Sequence, residues 1–203
     1  MSIEKPKLII IAGPNGSGKT TVTGKILEHQ WIEGCKYINP DLIARDEFGD
    51  WNSPEAVLKA ANRAAELREE CLKNKTGILF ETVLSASDKV DFIKRARDAG
   101  YFIRLFFVGT DNPVINAGRI ARRVMEGGHD VPINKIISRF SKSITNCCIL
   151  AKKVDRLYVC DNSIEFAEPI LLFRAVDGKL QKKYKTVNPW AQNILKVFDD
   201  KVR

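Results

Sequence analysis

The sequence predicts an α/β fold in which a parallel sheet is covered by helices on both faces. Short, almost purely apolar runs of strand length recur along the chain, and amphipathic helical patterns separate them. A glycine-rich segment joins the first apolar run to the first helical pattern, as in nucleotide-binding α/β proteins. Strands that are apolar on both faces must be buried on both faces, which requires helices on either side of the sheet.

The predicted elements alternate in chain order, and local signals set several boundaries. Ser53 followed by Pro54 is typical of a helix start, as is Asn112 followed by Pro113, and Ser87 is expected to cap a third helix. Gly100 and the pair at 127–128 are expected to end helices. Five strands are predicted at residues 8–12, 36–38, 77–80, 102–108 and 157–160, with helices at 19–29, 54–74, 87–100, 113–127 and 133–154.

The C-terminal part predicts a β-hairpin and a final helix. Residues 170–175 and 179–185 flank Asp177-Gly178, a two-residue turn signal, and a last helix begins near Pro189. With no repeat or linker, residues 1–203 are expected to form one domain: a five-stranded parallel sheet, a helical lid at about 112–135, and the hairpin and helix at about 169–203.

Composition excludes several classes of protein. The 203 residues are 44% apolar and 29% charged, and no apolar stretch approaches the 18 residues of a membrane span. The first six residues lack the apolar core of a secretory signal. The five cysteines form no C-x-x-C pair and no zinc-site spacing, so we expect reduced thiols and a cytoplasmic protein. The net charge of +8 predicts an anionic partner: a nucleotide, a sugar phosphate or a nucleic acid.

Residues 13–20 match the phosphate-binding pattern G-x-x-x-x-G-K-[ST] at every fixed position. Successive backbone N–H groups of such a loop wrap a β-phosphate at a helix N-terminus. Lys19 is expected to reach the β- and γ-phosphates of ATP, and the Thr20 hydroxyl to ligate Mg²⁺. The predicted nucleotide-binding residues are Gly13, Pro14, Asn15, Gly16, Ser17, Gly18, Lys19, Thr20 and Thr21.

Carboxylates follow three predicted strands, and ligands of such sheets bind at the carboxyl ends of the strands. A kinase needs a carboxylate that deprotonates the hydroxyl to which the phosphoryl group is transferred, and Asp41 is the candidate for this base. Asp41 could instead be the N-cap of a helix beginning at Leu42. Glu81 could assist the metal or bind acceptor hydroxyls. Asp161, with Asn162, is expected only to shape a loop.

A basic segment follows the fourth predicted strand. Arg119, Arg122 and Arg123 share one helix face, and Arg139 lies on the polar face of the next helix. The two helices carry arginines towards the segment 127–132 that joins them, the glycine corner, and this arrangement predicts a lid that binds phosphates. At least one of Arg119, Arg123 and Arg139 is expected to contact phosphate. His129, in the corner between the helices, could contact substrate or structure the loop.

With these residues in view, the chain resembles the zeta toxin family of P-loop kinases, and most of all its short stand-alone bacterial branch. The matching segments are Gly-Pro-Asn-Gly-Ser-Gly-Lys-Thr-Thr at 13–21, Asn-Pro-Asp at 39–41, Phe-Glu-Thr at 80–82, Arg-Val-x-x-Gly-Gly-His-x-Val-Pro at 123–132 and Arg-Phe-x-x-Ser at 139–143. The first is common to many P-loop proteins, whereas the glycine corner with its following arginine is much more specific.

The resemblance implies an ATP- and Mg²⁺-dependent kinase that phosphorylates a sugar hydroxyl of UDP-N-acetylglucosamine, with a separate antitoxin as partner. It implies Asp41 as the base, Glu81 and Thr82 at the sugar, and lid arginines at the transferred phosphate. The toxins carry an arginine shortly before their Thr-Pro, where this chain has His129-Asp130-Val131-Pro132. Arg123 and Arg139 are the expected substitutes.

Two other functions remain open from the sequence. A nucleic-acid end kinase would use Lys179, Lys182, Lys183 and Lys185 along a strand backbone, with Tyr184 and Trp190 for stacking. The simpler interpretation is that these lysines protect the edge of the sheet, which makes nucleic acid the less favoured partner. A nucleotide-binding switch that acts on a protein partner would have no use for Asp41 as an acceptor base.

Overall fold

The computed structural model describes residues 5–49, 53–128 and 130–199. Strands and helices alternate along the chain as predicted, and a short 3-10 helix (Gln30–Ile32) follows the first helix. The strands are β1 (Lys7–Ala12), β2 (Cys35–Ile38), β3 (Gly77–Thr82), β4 (Phe102–Gly109), β5 (Arg156–Asp161), β6 (Ile170–Val176) and β7 (Lys179–Lys183). The helices are α1 (Lys19–Leu27), α2 (Pro40–Phe48), α3 (Pro54–Asn74), α4 (Ser87–Asp98), α5 (Pro113–Met125), α6 (Ile133–Leu150) and α7 (Pro189–Lys196).

One sheet contains all the strands in the order β2-β3-β1-β4-β5-β6-β7. The first five are parallel, whereas β6 and β7 run antiparallel. The prediction of a five-stranded sheet with a separate hairpin is therefore wrong in strand number, because β6 hydrogen-bonds along β5, with Tyr158 opposite Arg174. The hairpin lies at the edge of the sheet, as predicted, and extends it to seven strands.

The sheet is covered on both faces by apolar side chains. Ile9 and Ile11 of β1 pack against Val22 and Ile26 of α1, while Ile10 lies in the larger core on the opposite face. That larger core contains buried residues of α3, α4, α6 and α7. The alternation of Ile9, Ile10 and Ile11 between faces explains why this strand is apolar throughout. Along the described residues, no helix combines the length and the apolar character that crossing a membrane requires.

Several predicted helix boundaries differ from the structure: α1, α4 and α5 each end two residues earlier than predicted, and larger differences concern α2 and α6. The Oδ1 of Asn39 accepts the N–H of Asp41 at 2.9 Å, so Asn39 is the N-cap of α2 and Pro40 its first residue. Asp41 therefore lies in the first turn, and the alternative that it caps the helix is wrong. Helix α6 ends at Leu150, four residues earlier than predicted. Ser53 and Asn112 cap α3 and α5 as predicted. The predicted cap at Ser87 is wrong, because the N-cap of α4 is Ala86 and Ser87 is the first residue of the helix.

Candidate active site

The phosphate-binding loop connects β1 to α1 and is held from several sides. The N–H of Gly13 donates to the carbonyl of Thr82 at 3.2 Å. The Nδ2 of Asn162 donates to the carbonyl of Ser17 at 2.9 Å, and the Nδ2 of Asn116 donates to that of Asn15 at 2.5 Å. These contacts fix the loop backbone before any ligand contributes, which is the preorganisation that phosphate binding requires.

The loop has the shape of a phosphate cradle. Gly18, the N-cap of α1, has a φ of 88°, and a Cβ there would lie 2.1 Å from the Nδ2 of Asn162. A Cβ on Gly13 would lie 2.0 Å from the carbonyl oxygen of Val108. The Oγ of Ser17 is buried and has no hydrogen-bond partner among the described residues. Close backbone approach, an unpaired hydroxyl and a helix N-terminus together fit a bound phosphate.

Lys19 lies against the loop that it would serve. Its Nζ donates to the carbonyls of Gly13 at 3.0 Å and Pro14 at 2.9 Å. The pKa of Lys19 is lowered from 10.5 to about 8, mainly by burial; the charge of Glu81 opposes this change, and that of Arg123 adds to it. The negative charge of a bound polyphosphate would stabilise the charged form of an ammonium group that is buried in this way.

The two candidate carboxylates lie at the carboxyl ends of neighbouring strands. Asp41 is exposed in the first turn of α2, just after β2, and Glu81 is half-buried near the end of β3. Tyr37 connects them. Its hydroxyl donates to Oε1 of Glu81 at 3.3 Å and accepts from Nδ2 of Asn39 at 2.9 Å. Burial and the charges of Glu81 and Asp41 raise the pKa of Tyr37 to about 12, so the hydroxyl remains a donor at neutral pH.

Thr20 and Glu81 supply oxygen ligands of the kind that Mg²⁺ prefers. The Thr20 hydroxyl lies 3.5 Å from Oε2 of Glu81. Within the described ranges, no group of three or more His, Cys, Asp or Glu side chains could hold a metal. One hydroxyl and one carboxylate fit an ion that takes its other ligands from water and substrate phosphates, which is the usual arrangement for Mg²⁺ in kinases.

Three of the predicted arginines approach the loop. Nη1 of Arg119 lies 3.5 Å from the carbonyl of Gly16, and Nη1 of Arg139 donates to Oδ1 of Asn15 at 3.3 Å. Arg119 and Arg123 line a cleft of about 230 Å³ together with Lys19 and Thr20. Arg122 is instead held outside this cleft by Glu165, at 2.7 Å.

A second cleft, of about 410 Å³, adjoins the loop at Gly18 and Thr21. Arg119 separates it from the first cleft, and Phe166, 92% exposed, lines its outer part. Phe166 could not be predicted from the sequence, because it lies in an irregular segment after β5 with no recognisable spacing. This cleft has the position and size to receive the rest of a nucleotide whose phosphates occupy the loop.

Some predicted residues lie elsewhere. Trp190 cannot stack on a nucleic-acid base, because it is buried and its Nε1 donates to Oδ1 of Asp161 at 2.8 Å. The Thr82 hydroxyl is buried and accepts the N–H of Leu84 at 3.0 Å. Asp161 also accepts from Ser163, in agreement with its predicted loop-shaping role. His129 lies outside the described residues.

Comparisons with known proteins give a consistent result. The family model described as Zeta toxin matches residues 1–166. A relative from Haemophilus influenzae, described only as an uncharacterized protein, is 31% identical over 123 residues, which cover 61% of this chain and 84% of the relative.

Solved structures share the fold at low sequence identity. The PezAT toxin–antitoxin system of Streptococcus pneumoniae matches with a TM-score of 0.61 and 17% identity over 98% of this chain and 80% of that one. The AvrRxo1-ORF1:AvrRxo1-ORF2 complex with ATP matches with a TM-score of 0.66 and 16% identity over 98% of this chain. This chain spans only 65% of the matched AvrRxo1 chain.

Proposed function

This chain belongs to the zeta toxin family, and on that basis we propose that it transfers the γ-phosphate of ATP to a hydroxyl of a sugar nucleotide such as UDP-N-acetylglucosamine. Membership of this family gives it the P-loop kinase fold and a kinase-type activity. ATP, Mg²⁺ and the acceptor are the proposed additions. The PezAT structure belongs to a toxin–antitoxin system, and the AvrRxo1-ORF1:AvrRxo1-ORF2 structure contains ATP, which supports an antitoxin as partner and ATP as ligand of this chain as well.

The observation that carries the proposal is the Glu81 carboxylate beside Thr20 of the phosphate-binding loop, with Asp41 following the neighbouring strand β2. A switch or a simple nucleotide-binding protein has no use for Asp41 as a base that deprotonates an acceptor hydroxyl. Here Glu81 lies within 3.5 Å of the Thr20 hydroxyl, and Asp41 is close enough to Tyr37 to raise its pKa. Two carboxylates with different burial suit two tasks, one beside the metal and one at the acceptor.

In the proposed reaction, the acceptor hydroxyl oxygen attacks the γ-phosphorus in line with the bond to the β–γ bridging oxygen. Asp41 accepts the hydroxyl proton, that bond breaks, and ADP leaves. Lys19 would bind the β- and γ-phosphates, and Thr20 and Glu81 would hold Mg²⁺, which supplies neutralisation of phosphate charge when bound. Arg119, Arg123 and Arg139 approach the loop from the lid side and are the groups that would stabilise charge on the transferred phosphoryl.

The identity of the acceptor is the part of the proposal that depends most on the resemblance to the family. A sugar nucleotide is anionic, which suits a chain of net charge +8 and a cleft lined by Arg119 and Arg123. Since this chain has His129-Asp130 where the toxins carry an arginine, Arg123 and Arg139 would act in its place. Oligonucleotide ends are less favoured, because Trp190 is buried and Lys182 lies over the ring of Tyr184, 5.0 Å from its centroid.

The test is Mg²⁺-dependent ADP release from ATP, with and without UDP-N-acetylglucosamine. We expect the sugar nucleotide to stimulate release, and Asp41→Asn to reduce the stimulated rate by about 10²–10⁴-fold. Asp46→Asn is the matched control, since it makes the same change at an exposed position of the same helix. ATP binding without stimulation would contradict this acceptor, and oligonucleotide ends would be tried next. Binding without turnover on any acceptor would support the switch.

A further inference from the structure

The Glu81 carboxylate is contacted on both of its oxygens by residues of different elements. Tyr37 of β2 donates to Oε1 at 3.3 Å, while the Thr20 hydroxyl of α1 lies 3.5 Å from Oε2. A carboxylate fixed at one oxygen cannot rotate freely about its side-chain bonds. The contact from Tyr37 therefore determines where the second oxygen points, which is towards Thr20.

The direction of the tyrosine proton follows from the hydrogen bonds of Asn39. Oδ1 of Asn39 accepts the backbone N–H of Asp41 at 2.9 Å, which settles which end of the amide is oxygen. Nδ2 of Asn39 must then be the group that donates to the Tyr37 hydroxyl at 2.9 Å. A phenol has one proton. With its oxygen accepting from Asn39, that proton is directed to Glu81.

The sheet places these groups together through its register. Tyr37 of β2 is directly opposite Leu79 of β3, and Glu81 follows Leu79 by two residues, on the same face. That face is the one covered by α1, which begins with Lys19 and Thr20. A tyrosine at this position reaches diagonally along the face to Glu81, as long side chains do across neighbouring strands.

We propose that Tyr37 is a positioning residue that, held by Asn39, orients the Glu81 carboxylate so that its second oxygen faces the metal beside Thr20. This inference rests on the proposed function in one respect only, namely that a metal–nucleotide complex binds at the loop. Asn39 also caps the helix that carries Asp41, so one amide side chain sets the position of both carboxylates. Neither Tyr37 nor Asn39 needs to touch substrate for this role.

The test is the Tyr37→Phe variant, which removes one hydroxyl and retains the ring. Isothermal titration calorimetry would give the affinity of AMP-PNP, a non-hydrolysable ATP analogue, with Mg²⁺ and in EDTA. We expect the ratio of the two affinities to fall about tenfold, as is usual when a residue supporting a metal ligand is lost. Affinity in EDTA should not change, because the hydrogen bonds of the Tyr37 hydroxyl go to Glu81 and Asn39 and not to the loop backbone. In turnover, kcat should fall while KM for the acceptor stays constant.

Tyr158→Phe is the matched control. Tyr158 lies on the same face of the sheet, on β5, with its ring stacked on Phe106 at 4.6 Å between centroids. It undergoes the same chemical change away from the loop, and its Mg²⁺ ratio should equal that of the wild type. Should Tyr37→Phe fold poorly, Asn39→Ser provides a second route, since serine caps a helix but cannot donate an amide proton to Tyr37. Its Mg²⁺ ratio should also fall.

A double-variant cycle separates positioning from a general structural effect. If Tyr37 acts through Glu81, then Tyr37→Phe should have no further effect on the Mg²⁺ ratio in a Glu81→Gln background. An additive loss would overturn the inference, as would an unchanged ratio in Tyr37→Phe, or an altered acceptor KM at a constant ratio. If the wild type binds Mg²⁺ and AMP-PNP but phosphorylates no acceptor, the proposed function fails while the Mg²⁺ ratios still decide the role of Tyr37. If it binds no nucleotide, both fail.

Discussion

Proton uptake during nucleotide binding is the sharpest consequence of the environment of Lys19. Burial lowers its pKa to about 8, so about half of the Lys19 side chains are neutral at pH 8 in the free protein. A bound triphosphate favours the charged ammonium and raises this pKa. Binding of AMP-PNP should therefore take up about half a proton at pH 8, close to one at pH 9 and close to none at pH 6.5.

Isothermal titration calorimetry in buffers of different ionisation enthalpy measures this uptake without any acceptor or turnover. Lys19→Arg is the control, because arginine keeps its charge throughout this range, so that only the proton exchange of the nucleotide itself remains to be subtracted. Wild-type proton uptake that does not change between pH 6.5 and 9 would show that the pKa of Lys19 is not lowered in the free protein. Equal uptake in Lys19→Arg would show that another group is responsible.

Three further predictions concern stability and the loop. Removing the buried charge with Lys19→Met should raise the free energy of unfolding, measured by urea titration, by about 2 kcal/mol at pH 7. The pKa of Lys19 is lower in the native protein, about 8, than its ordinary value of 10.5 in the unfolded chain. The gain should therefore shrink as the pH rises from about 8 towards 10.5. Gly13→Ala places a Cβ 2.0 Å from the carbonyl of Val108, so AMP-PNP affinity should fall at least about tenfold and the melting temperature should drop. Asp161→Ala removes the acceptor of Trp190 and should lower the free energy of unfolding by about 1–3 kcal/mol with kcat unchanged; a large fall in kcat would contradict its structural role.

The fold could be predicted from the sequence because its signals are local. Apolar runs of strand length, helix caps such as Ser53 and the pattern at 13–20 each depend on a few adjacent residues. The strand number could not be predicted in the same way. Whether a hairpin lies apart or continues a sheet depends on pairing between β5 and β6, which the residues of either strand alone do not specify.

The same distinction applies to the site. Lys19 and Thr20 have a fixed spacing within one loop, so their places could be predicted. Tyr37 could not, since its role depends on the register of β2 against β3 and on the amide of Asn39. Asp41 was open to a capping interpretation because both asparagine and aspartate cap helices, and only the hydrogen bond from its own N–H to Asn39 decides between them.

The central claim is that this chain phosphorylates a hydroxyl acceptor with Asp41 as base. Mass spectrometry of UDP-N-acetylglucosamine after incubation with ATP, Mg²⁺ and the protein tests it most directly, because it detects the product itself. We expect one added phosphoryl group on the sugar with the wild type and with Asp46→Asn, and almost none with Asp41→Asn. Unmodified sugar nucleotide beside ADP and inorganic phosphate, or equal product from Asp41→Asn, would contradict it.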